Sequence, residues 1–219
     1  MMSILRRRCR CSGGCPSRRT IRYNTAFSLI ELLVVIGVII ILAGLILSTV
    51  SYVQKKGARS RAETEIAAIS AACESYKADN GIYPRGNANL SNTTPYDTDN
   101  LDARTNLDPT AAGYSAASLF LYEQLAGVTS GSRSATPSGK TYFTFKPNML
   151  LPAPPSTLDI TAIRDPFGNS YGYSTANQAD PVTPKGYNPT FDLWSTAGTA
   201  PSPTPTPPAK QQDLWIKNW

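Results

Sequence analysis

From Leu32 to Val50 the chain runs 19 residues without a charge, mostly Leu, Val and Ile. An α-helix rises about 1.5 Å per residue and the hydrocarbon layer of a bilayer is about 30 Å thick, so roughly 20 such residues cross it. The apolar residues surround the helix instead of forming a stripe, which suits lipid or a helix-bundle core and not one face of a soluble domain. A secretory signal has a shorter apolar region, about 7–15 residues, followed by a small-residue cleavage site. This run is longer and passes directly into a helical pattern. It reads as a membrane segment.

Charge is distributed to match. Of 21 Lys+Arg and 15 Asp+Glu, seven arginines (Arg6, Arg7, Arg8, Arg10, Arg18, Arg19, Arg22) fall within residues 1–26, which hold no acid. The formal charge of +6 therefore belongs to the N-terminal segment, and the rest of the chain is nearly neutral. Basic residues before the apolar run favour a cytoplasmic N-terminus, with Lys55, Lys56, Arg59 and Arg61 beyond it weakening the bias. A neutral body offers no patch of the kind that releases counterions from nucleic acid. The chain has no histidine, which excludes Ser-His-Asp and Cys-His catalysis and imidazole metal sites. Cys9, Cys11 and Cys15 lie in the basic segment, where they read as reduced thiols with metal binding as the lesser alternative. Cys73 is the single thiol beyond it, and once that segment is removed neither an all-cysteine zinc site nor an intramolecular disulfide can form.

Glu31 is the anomaly. It sits between Phe27-Ser28-Leu29-Ile30 and Leu32, inside otherwise apolar sequence. An ionised side chain at mid-bilayer costs roughly 2.5–3.5 kcal/mol on insertion scales, and less near a helix end. A cationic partner is expected, and the apolar segment supplies none. A free α-amine created by cutting just before Phe27 would lie about one helical turn away, on the same chain or on a neighbouring subunit. The physical argument does not choose between them.

The residues Thr25-Ala26-Phe27-Ser28-Leu29-Ile30-Glu31-Leu32-Leu33-Val34-Val35-Ile36, behind a basic leader, resemble the N-terminal signature of type IV prepilins and type II secretion pseudopilins. The resemblance implies cutting between Ala26 and Phe27 by a prepilin peptidase, N-methylation of Phe27, and neutralisation of a neighbour's Phe27 amine by Glu31 during filament assembly. Ala26 departs from the glycine usual at that place in the family, which implies slower processing. The partners implied are copies of this chain and other pilin-like subunits, the peptidase/methyltransferase, an inner-membrane assembly platform and membrane lipid, with no nucleic acid. The implied location is the inner membrane, single-pass with a cytoplasmic N-terminus, and then a periplasmic or surface filament.

Four regions follow: a leader at 1–26, a long helix at 27–80 with a transmembrane half at 27–50, a small globular domain at 81–195, and a Pro/Thr-rich linker with an aromatic tail at 196–219. No proline interrupts the chain between Arg18 and Tyr83. From Ala62 to Lys77, Ile66, Ile69, Cys73 and Tyr76 recur at helical spacing, and Cys73 reads as a small core residue on that stripe. Asn80-Gly81 and then Pro84 end the helix. The family's usual mid-helix proline is replaced by Leu47-Ser48-Thr49, so no kink is expected from sequence.

Residues 85–114 read as a long surface loop, carrying the sequons at Asn89 and Asn92 and the acids Asp97, Asp99 and Asp102 without the EF-hand order. Ser115–Ala126 predicts a second helix closed by Gly127, and 128–140 a connector. Strands are expected at Tyr142-Phe143-Thr144-Phe145, Tyr171-Gly172-Tyr173 and Phe191-Asp192-Leu193-Trp194, with a type I turn at Asp165-Pro166-Phe167-Gly168. The fold class is therefore α+β: a long N-terminal helix packed on a small antiparallel sheet, pilin-like by the resemblance.

That likeness narrows in the body. Tyr76-Lys77-Ala78-Asp79-Asn80-Gly81-Ile82-Tyr83-Pro84, Asp165-Pro166-Phe167-Gly168-Asn169-Ser170-Tyr171 and Phe191-Asp192-Leu193-Trp194-Ser195 resemble the type II secretion major pseudopilin in order and role, and the ending Asp213 to Trp219 is similar to its end. The family's calcium loop would fall at Thr196–Gln212, which holds no acid, leaving Asp213 as a weak lone candidate ligand. No cofactor is expected. The Pro/Thr segment favours a stiff linker that brings Trp215 and Trp219 back onto the sheet.

Three function classes compete. A filament subunit, in a pseudopilus or a type IV pilus-like fibre, leads. A minor pilin or membrane-anchored binding or adhesion module at a filament tip is second, and an exposed aromatic patch would favour it over the first. A tethered enzyme is third, without histidine, a paired-acid spacing, or a Walker or dinucleotide glycine motif.

Overall fold

The computed structural model describes residues 28–86, 97–182, 185–199 and 212–219. The proposed cleavage residues Ala26 and Phe27, both sequons and most of the Pro/Thr segment lie outside the described residues. The chain divides into two compact units, Met1–Ser48 and Thr49–Trp219. One helix, α1 (Leu29–Asn80), contributes to both, and it runs through Leu47 without a break. The fold is α+β.

In the first unit α1 is apolar on every side. Its large aliphatic side chains from Leu29 to Leu47 are between 47% exposed at Ile36 and 82% exposed at Leu29. The helix is long and apolar enough to cross a membrane.

In the second unit α1 becomes amphipathic. Ala62, Glu65, Ile66, Ile69, Ala72 and Cys73 are buried, Ser70 and Tyr76 are half-buried, and the other residues between them face outward. The helix stops where the sequence breaks it. The Gly81 amide donates to Lys77 O at 2.7 Å with Gly81 at φ 80°, and Pro84 follows. A second helix, α2 (Ala112–Ala126), starts three residues before the expected position and buries Tyr114, Ala117, Leu121 and Leu125. It closes at Gly127, whose left-handed backbone (φ 73°) and close approach to Lys140 O exclude a side chain.

Two small antiparallel sheets replace the one expected. Strand β1 (Leu150–Leu151) pairs with β2 (Ala162–Ile163), with Leu150 opposite Ile163. The second sheet has the order β3 (Gly172–Ser174), β4 (Asp192–Ser195), β5 (Ile216–Lys217). The turn at Asp165–Gly168 joins them. Gly168 N–H donates to Asp165 O, Asp165 Oδ1 accepts from the amides of Phe167 and Asn169, and Arg164 bridges Ser170 across the reversal. Strand β5 belongs to the C-terminal tail, which therefore completes the sheet: Trp194 lies opposite Lys217 and Ser195 opposite Ile216.

Two expectations are corrected. Tyr142–Phe145 is not a strand. The amides of Tyr142 and Phe143 both donate to Leu125 O, and the aromatic rings cap the end of α2 and α1 instead, with Tyr142 edge-on to Tyr76 at 5.2 Å. Nor is the described part of 85–114 a surface loop. Thr98, Asp99, Leu101 and Ala103 are buried, because Asp99 pairs with Arg85 at 2.9 Å and the Thr98 and Thr175 hydroxyls bond each other at 2.6 Å. Internal partners let polar sequence sit inside.

Candidate functional site

Glu31 stands in the first turn of α1, three residues after Ser28, whose carbonyl accepts the Leu32 amide at 3.2 Å. Among the described residues no ion pair includes it. The partial positive charge of a helix N-terminus favours a carboxylate there by typically 0.3–1 kcal/mol. That is smaller than the roughly 2.5–3.5 kcal/mol that an ionised group costs deep in lipid. Glu31 stands in the first helical turn, where that cost is lower, and the dipole offsets part of it; among the described residues no cation supplies the rest.

The surrounding apolar surface sets the opposing scale. Fifteen large aliphatic side chains from Leu29 to Leu47 are exposed to water. At about 1.5–3 kcal/mol for each side chain fully removed, and with roughly half of each still to be buried, transfer of this segment into lipid gains on the order of 20 kcal/mol. The carboxylate cost is several times smaller than this aliphatic gain.

Comparison with family models, curated proteins and solved structures gives no match to this chain. The functional reading rests on its own residues.

In the body, the acids considered for calcium have protein donors of their own. Asp97 Oδ1 accepts from the amides of Asp99 and Asn100, Asp99 Oδ1 accepts from Arg85 and the Thr175 hydroxyl, and Asp102 Oδ1 accepts from the amides of Arg104 and Gly186. Asp213 is exposed in the turn before Trp215. Among the described residues no group of three or more Cys, Asp or Glu side chains is arranged to hold a metal. Cys73 is fully buried, and burial pushes its thiol well above the ordinary range, so it stays protonated.

Three buried polar arrangements escaped the sequence reading. Glu65 on α1 accepts from Arg61 Nε and from the Tyr171 hydroxyl, both at 2.8 Å, and so ties the helix to the residue preceding β3. Asp165 accepts from the Ser195 hydroxyl at 2.6 Å, joining the turn to β4. Asp192 accepts from the amides of Tyr187 and Asn188, and Gly186 (φ 75°) is so close to it that a Cβ would fall 2.2 Å from Asp192 Oδ2. Burial raises both the Asp165 and Asp192 carboxyls above the usual value despite these hydrogen bonds. Glu65 was visible only as a polar residue beside Ile66, and nothing in the local sequence joins it to Tyr171, 106 positions away.

The tryptophans are mostly interior. Trp194 is fully buried, donates from Nε1 to the Tyr114 hydroxyl at 2.8 Å, and stacks parallel to buried Trp215 at 6.1 Å. Trp219 is half-buried, with its ring stacked on Tyr187 at 4.6 Å.

Proposed function

We propose that this chain is a structural subunit of a type II secretion pseudopilus or type IV pilus-like filament, cut by a prepilin peptidase between Ala26 and Phe27 and polymerised through α1. The observation that carries the reading is the uniformly exposed apolar helix with one carboxylate, Glu31, in its first turn and no cation paired with it among the described residues. A processed Phe27 amine on an adjacent copy supplies the missing charge, and the flanking sequence resembles a prepilin cleavage context. Removal of the aliphatic surface from water, first into an inner membrane and then into a filament core, supplies the driving force. Burial of Trp194 and Trp215 supports a packing role for these residues over an exposed adhesive patch. No catalytic role is assigned, and cleavage before Phe27 with N-methylation of its amine is the only chemistry proposed for the chain.

The test is Glu31→Ala expressed beside the wild-type chain. Membrane extraction and cleavage should be unaffected, because the aliphatic term is several times larger than the carboxylate term. Incorporation into filaments should fall at least tenfold, the loss of about 1.4 kcal/mol or more that separates a paired from an absent charge. Incorporation equal to wild type would remove amine pairing from the account.

A further inference from the structure

Just beyond the apolar run, the second unit carries a groove of about 750 Å³ whose walls differ in chemistry. One wall is the α1 surface at Tyr52, Lys55, Lys56 and Arg59, and the other includes Phe167 and Leu214. Among the described residues, none of the lining side chains is acidic. Tyr52 is 70% exposed, and Leu214, an apolar residue, is 55% exposed. The Arg59 guanidinium spans the groove's end: Nη1 donates to Leu214 O at 2.9 Å, while Nε lies 3.4 Å from Glu63 Oε1. These contacts hold the two walls together and partly neutralise Arg59. Among the described residues neither Lys55 nor Lys56 enters an ion pair.

The position along α1 decides what chemistry meets this groove. Lys55 is five residues past Val50, or about 7.5 Å of helix rise, and Arg59 is about 13 Å past it. A bilayer of about 40–45 Å overall with a 30 Å apolar core leaves some 5–7 Å of headgroup on each side. Lys55 and Lys56 leave the helix at the outer edge of that layer, and their long side chains reach back to the depth of lipid phosphates. Tyr52 falls at the interface, where its amphipathic ring is favoured. We infer that the groove formed by Tyr52, Lys55 and Lys56 of α1 with Phe167 and Leu214 of the body binds the headgroup of an anionic phospholipid of the membrane that α1 enters. The lysine ammonium groups pair with the phosphodiester, and the apolar floor takes the glycerol end of the acyl chains. The inference rests on the membrane reading of α1 but not on filament assembly.

The experiment uses the full chain in nanodiscs of phosphatidylcholine alone and of an equimolar mixture with phosphatidylglycerol, one chain per disc. The readout is the relative association of spin-labelled phosphatidylglycerol and phosphatidylcholine with the protein boundary. At about fivefold per cation near an anionic surface, two lysines give a preference for the anionic lipid of tenfold or more. Lys55→Gln/Lys56→Gln should reduce it to about twofold or less, and Leu214→Asp should abolish it with both lysines intact. Lys146→Gln, outside the groove, should leave it unchanged, and circular dichroism confirms that each variant is folded. Equal association of the two lipids, or an equal loss in Lys146→Gln, overturns the site. So does displacement by inorganic phosphate, or a preference seen only with two chains per disc. Failure to enter phosphatidylcholine discs at all overturns the membrane reading itself, so the two failures are distinct.

Discussion

A methyl group placed on Gly172 would lie 2.2 Å from Trp194 Cε2 and 2.4 Å from Cζ2, far inside van der Waals contact. The two residues are direct partners across β3 and β4, and the indole lies over the glycine backbone. Gly172→Ala must therefore move the ring. Overpacking of this kind costs typically 1–3 kcal/mol. Displacing the ring also strains the 2.8 Å hydrogen bond from Trp194 to Tyr114 and the stack on Trp215. The hydrogen bond is worth about 0.5–1.5 kcal/mol net. The expected loss is about 2–4 kcal/mol, or on the order of 10 °C in Tm for a unit of this size. Urea unfolding of the full chain in detergent, followed by tryptophan fluorescence, measures it. The double-mutant cycle with Trp194→Leu is decisive, because removing the ring removes the clash. Gly172→Ala should cost at least about 1 kcal/mol less in that background. A loss below about 0.5 kcal/mol, or strict additivity, would refute the packing argument.

Other consequences are equally open to measurement. Tyr171→Phe removes a donor from buried Glu65 and should cost about 1.5–3 kcal/mol in the same unfolding assay, and a neutral effect would mean that Arg61 alone satisfies the carboxylate. Trp215→Ala should cost about 3–5 kcal/mol and accelerate hydrogen exchange at Ile216 and Lys217, since β5 is held by that docking. Exchange unchanged at those amides would contradict it. For Asp165 and Asp192 the folded pKa is raised above the ordinary 3.8, so their contribution to stability is full below that value and declines as pH rises through the folded pKa. Wild type should therefore gain stability relative to Asp165→Asn/Asp192→Asn as pH falls from neutral towards about 4, and a relative loss would reverse the sign of the argument.

The long helix, its buried stripe and its stop at Gly81 were legible because each depends on local periodicity or on backbone constraints at glycine and proline. The Asp165–Gly168 reversal was legible for the same reason. The aromatic run Tyr142–Phe145 misled because strand-like composition reports a preference for packed, half-buried surroundings, which these rings find against Tyr76 and α2 without a ladder. The described part of 85–114 misled in the opposite direction: its polar residues are satisfied by Arg85 and Thr175, partners that no local pattern reveals. At the candidate site, Glu31 was conspicuous as a charge in apolar sequence. The groove beside Tyr52 and Lys55 was not, because Phe167 and Leu214 reach these residues only through the tertiary fold.

The central claim is processing at Ala26–Phe27 followed by assembly through α1. Intact-mass and N-terminal mass spectrometry of the chain, taken from sheared surface filaments and from membranes of the cells that make it, tests this most directly. The account predicts a chain beginning at N-methylated Phe27, in the sheared fraction for a surface pilus or confined to membranes for a pseudopilus. A chain still carrying residues 1–26 in both fractions would contradict it.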